Sequence, residues 1–511
     1  MRILGAMVAA AAATGCARYQ AQPLDPARHP AELRARRLDD PALLDWLRPY
    51  AGAPDGARWS DRQLAVATLA WRAELARARA EWRAALAAVP AAGERPSPGV
   101  EASVEHQVAG PQQPSPGKPG DGELARARAE WRAALAAVPA AGERPSPGVE
   151  TSVEHQVAGP QQPSPWVVSL GALATVELGG KRGARLLAAR ARATVAESRL
   201  VGLAAALAVQ TRAATLALAA ARAGVDDRAA AVADLERISG LEERRYAEAA
   251  LAASDLARTR TDVQDARTEL ARAQAELGAA RADLAASLAV PVGALDRLEP
   301  VPAPTSGCAR VDSVGGDSLV VLALGRRAEI VTALAAYAVS EADVRLEVAR
   351  LYPDLEIGPG FIWDQGVHRW TLALALPALL GLRQRGALHE AEAARTVAAA
   401  RVAEAQDSIV MQVEAAVESC RGAGLGVVAA DSQVAAARAL VERDRARYER
   451  GETARLEPAR SELLLARAER GRRAAERQLA FAGIALEAAA AEWPDAPTRP
   501  WPDPREELPT R

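Results

Sequence analysis

The sequence predicts a mainly α fold with a small β part. It predicts a trimeric twelve-stranded transmembrane β-barrel, with four strands from each protomer, continued by a long α-helical coiled-coil barrel. Three observations predict it. Lys181 to Tyr246 and Gly386 to Tyr448 are long stretches without a proline. Four short stretches alternate apolar and polar residues. The plan of helix, strand pair, long helix and helix occurs twice along the chain. Composition agrees: half of the 511 residues are hydrophobic, only 4% are aromatic and 25% are charged. Much of the apolar half is alanine, which packs helices closely but fills a thick core poorly. A formal net charge of -2 gives no basic footprint for nucleic acid. Five histidines and three scattered cysteines exclude a zinc ribbon, a zinc finger or a disulfide framework, and Cys308 and Cys420 read as single thiols.

The chain opens with Arg2 and a short apolar run over residues 3–13, too short to span a membrane. Ala13-Thr14-Gly15-Cys16 follows. This reads as a lipoprotein-type signal with Cys16 acylated, or as an ordinary cleavage site with Cys16 incidental. Residues 17–60 are polar and rich in Pro and Arg, and are expected to be irregular. A helix is expected from Asp61 to Val89.

Glu74 to Pro116 is then repeated at Glu123 to Pro165 with one change, Ala102 to Thr151. Two copies make a tandem duplication rather than a solenoid. Beyond it, helices are expected over Lys181 to Tyr246 and Asp255 to Val290. A Pro/Gly linker follows over 291–315, and then the plan recurs. A helix is expected from Asp317 to Leu351, then a strand pair, then helices over Gly386 to Tyr448 and on to Ala491. Trp71-Arg72-Ala73-Glu74-Leu75 parallels Arg326-Arg327-Ala328-Glu329-Ile330. The 24-position spacing from Glu74 to Pro98 recurs from Glu123 to Pro147 and from Glu329 to Pro353. The expected division is therefore 1–16 signal, 17–60 irregular, 61–290 first repeat, 291–315 linker, 316–491 second repeat and 492–511 loose tail.

The four alternating stretches are Val149 to Val157, Trp166 to Glu177, Asp354 to Asp364 and Arg369 to Leu376. Period two with one apolar face marks a half-buried sheet. A soluble sheet under helices would read the same way. The export signal and the terminal aromatics Trp166, Phe361, Trp363 and Trp370 favour a membrane barrel with an aromatic girdle. Four strands cannot close a barrel, and open edges cannot face lipid, so several chains must share it; three copies of four strands make twelve. Of the two duplicated strands, the second copy, near 149–157, is expected in the barrel. Residues 91–122 would then bulge as a loop.

From Leu256 the residues Leu256, Val263, Leu270, Leu277 and Leu284 keep a strict period of seven. A sustained heptad means a partner helix in a left-handed supercoil. The alternate small positions Thr259, Ala266, Ala273, Ala280 and Ser287 let that partner approach closely.

Three motifs, in order and with duplicated spacing, carry a resemblance over about residues 60–490. Val176-Glu177-Leu178-Gly179-Gly180-Lys181-Arg182 joins strand to long helix. Arg144-Pro145-Ser146-Pro147 and Tyr352-Pro353-Asp354-Leu355 precede strands. Tyr246-Ala247-Glu248-Ala249 and Tyr448-Glu449-Arg450-Gly451-Glu452 mark helix-hairpin turns. The chain resembles the TolC family of outer-membrane efflux proteins, with the first motif similar to its cation-efflux branch. The resemblance implies a homotrimer in the outer membrane with a periplasmic extension. Such a trimer works passively with a periplasmic adaptor and an inner-membrane pump, usually of the resistance-nodulation-division type. It implies adaptor contact at the periplasmic tip, near Tyr246, Ala249, Asp255, Tyr448, Gly451 and Glu452. It also implies an aperture position at Glu457, with Arg460 where the family has a second carboxylate. A ring of Glu457 would favour cations; Arg460 would neutralise it by pairing. A solvated surface Glu457 is the plain alternative.

No phosphate loop, paired-His motif or nucleophile–His–acid set is present, so no catalytic residue, metal site or cofactor is expected. His106 and His155, copies of each other, read as lumen or rim residues rather than metal ligands. The rival readings are a periplasmic adaptor, which should carry one hairpin flanked by Gly-rich β-domains, and a pore-free coiled-coil protein, which needs no amphipathic strands.

Overall fold

The computed structural model describes residues 28–92, 99–102, 148–155, 166–302, 307–364, 367–375 and 385–491. The chain is mainly helical, with a five-stranded and a two-stranded sheet among the described residues. The segment expected to be irregular is in part folded. Helices α1 (Arg28–Ala35) and α2 (Pro41–Ala51) lie within it, and Asp40 caps α2 by accepting from the Ala42 amide. Leu38, Leu43, Trp46 and Leu47 are buried. This apolar set is diluted by Arg and Pro in the sequence and becomes a stripe only once the helix forms. Strand β1 (Arg58–Ser60) follows.

The helix expected from Asp61 is two helices, α3 (Asp61–Trp71) and α4 (Ala73–Ala91), and the one expected from Asp317 is likewise two, α8 (Gly316–Arg326) and α9 (Ala328–Arg350). The breaks fall at Arg72 (φ -71°, ψ 120°) and Arg327 (φ -67°, ψ 135°), both extended. Each arginine reaches the glutamate two residues on: Arg72 to Glu74 at 3.2 Å and Arg327 to Glu329 at 2.6 Å. The hydrogen bond from Arg327 holds the Glu329 carboxyl below its ordinary value. A carboxylate in the first turn also suits the positive end of the new helix.

Two hairpins form the long axis. One is α5 (Lys181–Ala247) with α6 (Ala253–Leu288); the other is α10 (Arg385–Glu449) with α11 (Leu456–Ala489). At about 1.5 Å per residue, α5 is roughly 100 Å long. Of the heptad positions, Leu256, Val263 and Leu284 are buried, with Ala273 and Ser287 beside them; Leu270 and Leu277 are half-buried. Helix α9 packs on both α5 and α10, and α11 packs on α5, so the hairpins are joined. Both α5 and α10 hold an 18-residue window apolar enough, by composition, to cross a membrane. One core gathers Leu43, Leu47, Leu64, Leu75, Leu200, Leu218 and Leu284, and a second gathers Val311, Ile330, Ile409, Val413, Val417 and Leu486.

The linker also carries structure. A 3-10 turn (Val292–Leu295) precedes β5 (Glu299–Val301), which pairs parallel with β1, and α7 (Ala309–Val314) closes it. Cys308 and Cys420 are not single thiols but form a disulfide, with Cα atoms 5.3 Å apart. Their separation of 112 residues hides the pairing in the sequence. Val311 and Val417 belong to the same second core, which brings the two segments together.

The larger sheet runs in the order β2–β3–β4–β6–β7, with β2 (Gly99–Ala102), β3 (Gly148–His155), β4 (Trp166–Val176), β6 (Leu355–Asp364) and β7 (Val367–Ala375). The second duplicated copy supplies β3, which pairs antiparallel with β4 along its whole length. The first copy is not all loop. Its residues Gly99–Ala102 form β2 and pair parallel with Gly148–Thr151, because the same sequence carries the same capacity for pairing.

One buried cation crosses between the halves. Arg212 of α5, 2% exposed, pairs with Asp61 of α3 at 3.0 Å and with Glu487 of α11 at 2.8 Å. One guanidinium serves two buried carboxylates, so burial raises the Glu487 carboxyl above its ordinary value, against the pull of Arg212. Folding then favours protonated Glu487. That contribution is full below its ordinary value of 4.5 and is lost as pH rises through the raised one. Arg212→Met strands both carboxylates and is expected to cost about 3–5 kcal/mol. Glu487→Gln leaves the Arg212–Asp61 pair, and is expected to cost far less and to flatten the pH dependence of the melting temperature above 4.5. Thermal unfolding followed by circular dichroism in detergent checks both.

Candidate functional site

The sheet has two unlike faces. Successive register rows put Val168, Trp363 and His368 level, then Leu170, Phe361 and Trp370, then Pro359 and Leu372. These rows share one face, since alternate residues point the same way. That face is open: Trp370 is 83% exposed, Leu372 65% and Leu374 63%. Phe361 meets the Trp370 ring edge-on, with centroids 5.1 Å apart. The row between holds Ser152, Ser169, Ile362 and Arg369 on the opposite face. There the Ser152 and Ser169 hydroxyls lie 2.7 Å apart, and Arg369 pairs with Asp364 at 2.8 Å. The register also gathers the four expected girdle residues at one end. Trp166 opens β4 opposite His155, at the same end of the sheet as Phe361 and Trp363 of β6 and Trp370 of β7. The other end, at Val176 and Leu355, runs into the helices.

At that junction two of the sequence motifs meet. The Lys181 ammonium reaches the Asp354 carboxylate at 2.7 Å, and the Leu178 amide donates to the same oxygen at 3.1 Å. Arg185 grips Glu177 through two hydrogen bonds of 2.8 and 3.0 Å, with both side chains about one-tenth exposed. Gly179 holds φ +75°, and a Cβ there would sit 2.9 Å from the Ala349 carbonyl oxygen. Neither a branched nor a plain side chain fits this turn.

The far ends of the hairpins carry the expected tip residues. In the first turn the Ala249 amide donates to Tyr246 O at 2.9 Å and the Ala250 amide to Arg245 O at 2.8 Å. In the second the Gly451 amide donates to Tyr448 O and the Glu452 amide to Arg447 O, both at 2.9 Å. The two turns therefore share one left-handed helix-end geometry, with Ala249 at φ 57° and Gly451 at φ 75°. Tyr246 and Tyr448 are exposed, 48% and 43%. Asp255 pairs with Arg258 at 3.6 Å. Arg450 donates to Glu452 at 2.6 Å and holds that carboxyl below its ordinary value.

Glu457 and Arg460 come together, at 3.7 Å. Arg460 does more: it donates to Glu242 of α5 at 2.8 Å, and the Glu242 side chain is 1% exposed. This tie between the two hairpins rests on a small apolar cluster of Leu235, Ile238, Val263, Leu456, Ala459 and Leu463. Glu242 is the residue that sequence reasoning missed. Glu242 and Glu243 are adjacent and chemically alike; only docking sends Glu243 to Arg260 at 2.9 Å and Glu242 to Arg460. Cys16 and His106 lie outside the described residues, and no group of three or more His, Cys, Asp or Glu among the described residues is placed to hold a metal ion.

No protein-family profile matches the chain, and no protein of curated function matches its sequence. Solved structures do match its fold. The outer-membrane channel OprN superposes with a TM-score of 0.60 at 18% identity, over 94% of this chain and 98% of OprN. The Campylobacter jejuni outer membrane channel CmeC gives 0.57 at 12% identity, over 84% and 85%. The outer membrane protein VceC of Vibrio cholerae gives 0.55 at 20% identity, over 72% and 92%.

The left-handed turn geometry has a direct energetic consequence. A left-handed residue other than glycine costs about 1–2 kcal/mol. Ala249→Gly is therefore expected to stabilise the chain by about 1 kcal/mol, and Gly451→Ala to destabilise it by a similar amount. Thermal or denaturant unfolding of the two variants beside the parent measures the pair of opposite shifts.

Proposed function

From a chain that has the fold of the outer-membrane channels, we propose a TolC-family exit duct. On this reading three copies close a twelve-stranded barrel in the outer membrane. The paired hairpins continue it through the periplasm, where their tips meet a periplasmic adaptor and an inner-membrane pump. The duct is passive; the pump supplies the energy. The observation that carries the reading is a run of four antiparallel strands in an open sheet, apolar on one face and polar on the other, leading into two long helical hairpins.

Other features support it. The aromatic end of the sheet is the end away from the helices, which suits a belt at the outer interface. Helix α10 leaves Val397, Met411, Leu425 and Val428 more than half exposed, an apolar face suited to a neighbouring copy. The Cys308–Cys420 disulfide suits an oxidising compartment beyond the inner membrane. The matched breaks at Arg72 and Arg327 and the matched turns at Ala249 and Gly451 support a two-fold internal repeat. Acylation of Cys16 would anchor the mature chain to the same membrane.

At the tip, three copies of Glu457 would line a constriction whose charge Arg460 partly cancels through its 3.7 Å pair. Planar-bilayer recording of the purified protein tests the duct and the ring together. Discrete conductance steps are expected. Glu457→Ala should lower the cation-over-anion permeability ratio, and Arg460→Ala should raise it by releasing Glu457. An absence of steps under every condition would leave a coiled-coil protein without a pore.

A further inference from the structure

On the reading that three copies close one barrel, we propose that β2 is an internal cap on the edge of β3 that the neighbouring copy's β7 must occupy, so that barrel closure requires β2 to leave. Strands β3, β4, β6 and β7 pair antiparallel in turn, so their directions alternate. Strand β7 of one copy therefore runs antiparallel to β3 of the next, and the four-strand units join without a mismatch. A strand has two edges. One edge of β3 is taken by β4 over Gly148 to His155. The other holds β2, with Gly99, Val100, Glu101 and Ala102 level with Gly148, Val149, Glu150 and Thr151. That edge cannot hold β2 and a neighbour's β7 over the same residues.

Nor can β2 stay as a fifth barrel strand. Its four residues extend about 13 Å, against an apolar band about 25 Å tall. It leaves the outer edge of β3 over Ser152 to His155 unpaired by any described strand, and lipid does not tolerate such an edge. It also runs parallel to β3, against the alternation of the other four. Before insertion the same cap has a use. An unpaired edge in water recruits other chains, and a short strand over Gly148 to Thr151 shortens the stretch left open. The duplication supplies a strand already matched to this position, since Gly-Val-Glu stands in both copies.

The test removes the cap without touching the barrel strand. Val100→Pro with Glu101→Pro deletes the backbone donor from whichever of the two residues faces β3. Deletion of residues 74–122 removes one whole copy and restores the single-copy spacing. Wild type and both variants are refolded into detergent, and the growth of the three-chain particle is followed by size-exclusion chromatography with light scattering. Both variants are expected to reach it several-fold faster than wild type. Equal or slower assembly in the variants overturns the cap while leaving the shared barrel in place. Failure of all three chains to form a three-chain particle overturns the cap and the shared barrel together.

Discussion

A sheet in hydrocarbon must leave no backbone amide or carbonyl without a partner, and four strands from one chain cannot meet that condition alone. The apolar rows through Trp363, Phe361 and Trp370 suit lipid, and the polar row through Ser169 and Arg369 suits a wet interior. On the proposed reading, both faces are put to use when the outer edges of β3 and β7 meet on different copies. The duplicated segment bears on the same constraint, because its one described strand sits on one of those edges.

Away from the sheet, long Ala-rich helices gain little from a thick core, so a few polar ties fix their relative positions. Lys181 and Arg185 lock the strand-to-helix junction to Asp354 and Glu177. Arg212 binds α3, α5 and α11 at mid-length, and Arg460 binds α11 to α5 at the tip. All four are basic residues holding carboxylates that are mostly buried. Such pairs do more for alignment than for net stability, because desolvation offsets much of their attraction. In the proposed duct, that alignment would set how the two hairpins meet along the lumen.

The periodic parts of this architecture were legible in the sequence. Alternation over two residues located β3, β4, β6 and β7, and the heptad from Leu256 located the face that α6 buries. The duplicated motifs pointed to the turns at Tyr246 and Tyr448. What escaped the sequence depends on contacts between distant segments. No proline marks the helix breaks at Arg72 and Arg327, and only the second has a glycine near it, Gly325; at both, an arginine reaches forward to a glutamate. The disulfide joins residues 112 apart, and Glu242 differs from Glu243 only in where its helix docks. The folded segment at 28–51 was obscured by its Arg and Pro content, although Leu43, Trp46 and Leu47 are among its most buried residues.

If other copies of the chain complete the sheet, the mass of the detergent-extracted particle must show it. Native mass spectrometry of the folded protein should give three chains in one particle. A folded particle of a single chain, stable in detergent with its helices intact, would contradict the shared barrel.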